Sequence, residues 1–140
     1  MIKKKYTLFC LSIGVFLLVI TDQLLKYKIR HLSGFYICNQ GISFGFSITT
    51  LIFWFIFSVF LSLILFYFYY LKNEGLLTPL FLLSFLLIFG GAFSNAIDRL
   101  LAGCVIDFIN INFLSFPVFN LADIFIFIGI SLLSLLLFKK

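Results

Sequence analysis

The chain has 140 residues, 64% of them hydrophobic and only 11% charged, less than half of the ~25% charged residues usual in soluble domains. A soluble core of this length has no room for so much apolar surface, so the sequence describes an integral membrane protein. The net charge of +5 does not point to nucleic acid, because the basic residues are scattered or terminal rather than gathered into a patch.

The N-terminal M-I-K-K-K-Y followed by T-L-F-C-L-S-I-G-V-F-L-L-V-I mimics a cleavable secretion signal. No A-x-A-like cleavage site follows, and the apolar run leads straight into T-D-Q-L-L-K, so a retained first span is expected. A crossing takes about 20 apolar residues. Four segments qualify, at about 6–25, 49–71, 76–96 and 119–138. They predict an all-α membrane protein, a single compact domain over 1–140 with four transmembrane helices and a small extended or β subdomain on its outer face.

Four crossings return both termini to one side. Lys3, Lys4, Lys5, Lys72, Lys139 and Lys140 then share that side, which positive charge marks as cytoplasmic. Lys26, Lys28 and Arg30 fall in the first outer connection, 26–48, and run against the rule. The outer stretch G-F-Y-I-C-N-Q-G-I-S-F-G-F has three glycines among alternating apolar residues, and V-I-D-F-I-N-I-N-F alternates as well, so both read as short extended structure near the headgroups. Cys10, Cys38 and Cys104 show no metal spacing and read as small apolar fillers.

The chain has five acidic residues, and their placement is the strongest clue to chemistry. Glu74 lies in the inner K-N-E-G turn as a solvated charge, whereas Asp22, Asp98, Asp107 and Asp123 all fall toward the outer end of the bundle. An isolated charge at the centre of a membrane helix costs at least ~2.5 kcal/mol on insertion scales, so four aspartates at one membrane surface suggest a site. Asp22 either pairs with Lys26 at i+4 or belongs to that site. In N-A-I-D-R, Arg99 is placed to grip a carboxylate or a lipid phosphate. Asp107 and Asp123 stand among apolar residues with no basic residue within four positions. They are either helix caps and interfacial acids or a convergent pair obliged to share a proton, one ionised and one neutral.

Other catalytic schemes lack material. One histidine, His31, leaves little for a Ser–His pair, and no HExxH, Cys/His cluster or glycine-rich phosphate loop is present. A small four-span proton- or cation-coupled transporter is the rival reading, but it needs acids deep in the bilayer, and the mid-span regions are uniformly apolar. A non-enzymatic assembly subunit docking through Arg99 and the aspartates is a third.

Five blocks, T-D-Q-L-L-K, N-Q-G-I-S-F-G-F, G-G-A-F-S-N-A-I-D-R, V-I-D-F-I and F-N-L-A-D, stand in the order and spacing of signal peptidase II, the bacterial lipoprotein signal peptidase, and the chain resembles that family from Asp22 to its last span. The resemblance implies a four-helix aspartic endopeptidase of the bacterial inner membrane, with its site near the outer surface. It would cut prolipoproteins just before a diacylglyceryl-modified cysteine. Carried over by motif, Asp107 and Asp123 are the catalytic pair, and Asp22, Asn39, Gly41, Asn95, Asp98, Arg99, Asn120 and Ala122 line or brace the site. The loop from Asn39 to Phe46 would close over the cut. Ser43 departs from the alanine common in the second block. No cofactor or metal is implied, the partners are lipid-modified prolipoproteins and membrane lipids, and a monomer is expected.

Overall fold

The structure, a computed structural model, describes residues 4–32, 34–41, 50–111 and 116–138. In chain order it comprises helix α1 (Lys4–His31), strand β1 (Ile37–Asn39), helices α2 (Thr50–Asn73) and α3 (Pro79–Ala102), strand β2 (Val105–Asp107) and helix α4 (Leu121–Phe138). Among the described residues, all four helices are long and apolar enough to cross a membrane.

Helix α1 runs six residues past the apolar stretch ending at Leu25. Nothing in L-L-K-Y-K-I-R-H breaks a helix, and Lys28, Arg30 and His31 in the last turn suit its negative end. The three basic residues expected in an outer connection are therefore helical. Helix α3 starts three residues later than its apolar run, at a built N-terminus: Thr78 is extended, its hydroxyl accepts from the Phe81 N–H at 3.4 Å, and Pro79 follows where no N–H is needed. The helix stops at Gly103, whose φ of 73° turns the chain into β2 while its N–H donates to the Arg99 carbonyl.

Helix α3 is the centre of the bundle, packing most extensively against α4 and then α1. Its buried residues include Phe81, Ser84, Phe85, Ile88, Gly91, Asn95 and Asp98, recurring every three or four positions as one helical face. Lipid supplies no hydrophobic drive between helices, so close packing has to do that work, and small residues permit it. A Cβ at Gly91 would strike the Ala122 carbonyl of α4, and one at Gly129 would come within 2.9 Å of the Ser84 carbonyl of α3. The two backbones thus meet one turn from Asn95 and one residue from Asp123. At the other end of the bundle, Leu71, Phe81, Phe85, Ile88 and Leu133 form an apolar core beneath the α2–α3 turn, where Glu74 is exposed. Helix α2 leaves Leu51, Phe55, Leu63 and Phe66 exposed.

Strands β1 and β2 pair antiparallel, Ile37 with Asp107, Cys38 with Ile106 and Asn39 with Val105. Alternation sets Asn39 on the Asp107 face and Cys38 on the opposite one. There Cys38 is bonded to Cys104, two residues before its cross-strand partner, with Cα atoms 5.4 Å apart. This corrects the reading of Cys38 and Cys104 as fillers: a separation of 66 residues carries no local signal, and only the strand pairing makes them neighbours. Cys10 is free and exposed. Beyond β2, Ile109 and Phe119 exchange backbone hydrogen bonds of 2.8 and 3.0 Å, tying the end of the ribbon to the residues just before α4. Residues 42–49, including Ser43 and the far part of the expected closing loop, lie outside the described residues.

Candidate active site

Asn120 is the N-cap of α4. Its side-chain oxygen accepts the Asp123 N–H at 2.9 Å, and Asp123 Oδ2 accepts the Asn120 N–H at 3.1 Å, a reciprocal box three residues apart. The capping reading of Asp123 is therefore correct as far as it goes. Its other oxygen, Oδ1, leaves the helix and accepts from Asn95 Nδ2 at 2.8 Å.

The Asn120 amide nitrogen reaches the opposite way. It donates to Asp107 Oδ1 at 2.7 Å and to Asn95 Oδ1 at 3.1 Å. Asp107 Oδ2 accepts from Asn39 Nδ2 at 2.9 Å across the ribbon, and the Asn39 oxygen is held by the Gly41 N–H at 2.9 Å. One residue, Asn120, thus hydrogen-bonds both Asp107 and Asp123. Every oxygen of the two carboxyls accepts one N–H, and each keeps a lone pair to spare.

Asp107 is 3% exposed. Burial pushes its carboxyl above the usual carboxylate range. The Asn39 and Asn120 amides and the Lys26 charge oppose that rise, and the neighbouring Asp123 charge adds to it. A cavity of about 350 Å³ opens beside Asp107 between β1 and the segment carrying Pro117 and Val118.

A wider ring of charge surrounds the pair. Lys26 donates to Asp22 Oδ2 and Asp98 Oδ2, both at 2.7 Å, and to Asn95 Oδ1 at 2.9 Å. Asp22 also accepts the Ser94 hydroxyl at 2.6 Å and the Ala122 N–H at 3.0 Å, tying α1 to α3 and to the first turn of α4. Asp22 thus pairs with Lys26 at i+4 and also joins the hydrogen-bond network that holds α1, α3 and α4 together. Asp98 accepts from Gln23 at 2.8 Å and from the Ile106 N–H at 3.2 Å, fastening β2 to the bundle. Among the described residues no buried side-chain nitrogen or oxygen lacks a partner.

Arg99 departs from expectation. It neither grips a carboxylate nor points to lipid: Nη2 donates to the Gly41 carbonyl at 2.7 Å, and the guanidinium lies 4.3 Å from the centre of the Phe53 ring. The aspartates already accept from amides or Lys26, and Arg99 instead holds the segment after β1 against α2 and α3. All ten residues singled out from the sequence stand in this one network. Lys26, Gln23 and Ser94 stand in it too, and the sequence does not single them out; the i, i+4 spacing of Asp22 and Lys26 is the one available signal.

A bundle of four membrane helices with two carboxyls converging on one asparagine at its end has the make-up of a membrane-embedded aspartic protease. The sequence model of the signal peptidase (SPase) II family matches residues 14–139. The lipoprotein signal peptidase of Bartonella bacilliformis is 35% identical over 139 residues, covering 88% of this chain and 84% of its own. That of Rickettsia conorii is 36% identical over 154 residues, covering 95% and 75%. A bacterial membrane enzyme solved by the in meso method at 2.3 Å superposes with a TM-score of 0.81 at 28% identity, over 93% of this chain and 88% of its own. The chain belongs to the signal peptidase II family.

Proposed function

We propose that this protein removes signal peptides from lipid-modified prolipoproteins, cutting before the diacylglyceryl cysteine, with Asp107 and Asp123 as its catalytic carboxyls. The observation that carries the reading is the shared contact of both acids with Asn120, at 2.7 Å through the side chain and 3.1 Å through the backbone. In this reading the two carboxyls retain one proton between them. The ionised member takes a proton from a water lying between them, and the resulting oxygen attacks the carbonyl carbon of the scissile bond. The protonated member hydrogen-bonds the carbonyl oxygen. Collapse of the tetrahedral intermediate breaks the C–N bond as a proton passes to the leaving amine, and the pair returns to its starting state. Asn95, Asn120 and Asn39 aim the carboxyls, and Arg99 secures the Gly41 segment at the edge of the site.

The signal helix enters from the lipid beside the bundle, which sets its lipidated cysteine at headgroup level next to the pair. The site end faces outward from the bacterial inner membrane, with both termini inside. The Cys38–Cys104 disulfide at that end suits an oxidising compartment, and Lys72 at the far end suits the cytoplasmic side. Asp107→Asn and Asp123→Asn, each assayed on a lipid-modified precursor, are expected to lower cleavage by about 10²–10⁴-fold, the range for a lost general acid or base. Near-normal cleavage by either variant sinks the assignment.

A further inference from the structure

Lys26 is the largest fully buried side chain of the described residues, at 2% exposure. An ammonium has three hydrogens, and here they meet three acceptors: Asp22, Asp98 and the amide oxygen of Asn95. The two carboxylates account for the burial of the charge. The third acceptor is neutral, and an ion triad alone does not require it.

That third contact fixes an orientation. Lys26 Nζ and Asn120 Nδ2 both donate to Asn95 Oδ1, so turning the Asn95 amide over would set its NH₂ against two donors. Its nitrogen is therefore committed to Asp123. Asn120 is locked in turn, because its oxygen accepts the Asp123 N–H while its nitrogen spans Asn95 and Asp107. A chain of donors with one allowed direction runs from Lys26 through Asn95 to Asp123, and Asn120, which shares the Asn95 oxygen with Lys26, donates separately to Asp107.

We propose that Lys26 is a positioning residue for the carboxyl pair, acting through the amide of Asn95 and supplying a positive charge behind the pair. This rests on the reading of Asp107 and Asp123 as the catalytic acids. The charged and titratable groups facing the centre are Asp22 from α1, Asp98 and Arg99 from α3, Asp107 from β2 and Asp123 from α4. From β1 and α2, Asn39 and Phe53 face it, and neither titrates. Lys26 favours the ionised form of Asp107, so its removal moves the acid limb of the activity profile to higher pH.

The test uses the full chain in detergent with a lipid-modified precursor. Lys26→Met is expected to lower kcat by about 10²-fold, as slight misplacement of reacting groups does, with KM little changed and the acid limb shifted upward. That variant strands two buried carboxylates and risks misfolding, so Lys26→Met with Asp98→Asn is measured beside Asp98→Asn alone. The double variant removes one charge of each sign and keeps the net charge of the triad. Its kcat stays about 10²-fold below that of Asp98→Asn, because Asn95 has lost the shorter of its two donors. A double variant equal to Asp98→Asn, or a folded Lys26→Met with normal kcat and an unmoved acid limb, overturns the proposal. Asp107→Asn in the same assay separates the two claims: its full activity would sink the catalytic pair, whereas its loss beside an unimpaired Lys26→Met sinks only the role of Lys26.

Discussion

The two ends of this bundle are held by different physics. Under the α2–α3 turn, Leu71, Phe81, Phe85, Ile88 and Leu133 touch through shape alone. At the other end, Asp22, Lys26, Asn95, Asp98, Asp107 and Asn120 are buried and hydrogen-bonded from α1, α3, β2 and the start of α4. Trimming an apolar side chain within the lipid-facing bundle forfeits dispersion and leaves a void. Removing a polar group from the network leaves its partner unsatisfied, and one asparagine serves several partners. The apolar end should therefore yield gradually and the polar end abruptly.

The largest break of that contrast, after removal of either acid, is Asn120→Ala. It strips the side-chain donor from Asp107 and the N-cap from α4, and cleavage should fall by about 10²-fold. The capping loss should add about 1 kcal/mol of destabilisation. Precursor cleavage and thermal unfolding in the same detergent read both. Phe85→Ala at the apolar end should do the reverse, lowering the unfolding midpoint with kcat per folded molecule unchanged. Its cost should be less than the ~3–5 kcal/mol of a water-soluble core, since in lipid only packing and cavity terms remain.

The smallest effect sharpens the comparison through pH. Burial raises the Asp107 pKa above its unfolded value, so its contribution to stability is full below the unfolded pKa and is lost as pH rises through the folded one. Asp107→Asn has no such titration. Unfolding midpoints of the two proteins should converge at acid pH, and the wild type should fall behind as pH rises through the Asp107 titration. Parallel curves across that range would show that the buried acid keeps an ordinary pKa.

Legibility in the sequence follows the range of the forces. The capping pair Asn120 and Asp123 is three residues apart and is readable as a helix start, and V-I-D-F-I shows an acid in an extended apolar context. Arg99 is illegible because its partner, the Gly41 carbonyl, is 58 residues away and is a backbone atom with no sequence signature. Lys26 reads as an outer-connection charge only while its helix is ended at Leu25. On a helix that continues, the same lysine turns inward one turn after Asp22 and meets Asp98 across the bundle.

The sequence by itself determined that the chain lives in a membrane, crosses it four times and gathers its aspartates at one end. Those properties depend on hydropathy and on order along the chain, and both are local. Tertiary structure alone decided that Asp107 and Asp123 share one asparagine, that Lys26 donates to Asn95 and that Cys38 joins Cys104. Most of these depend on groups tens of residues apart being brought within about 3 Å of one another, the range of a hydrogen bond. That approach is set where the α3 and α4 backbones touch at Gly91 and Ala122.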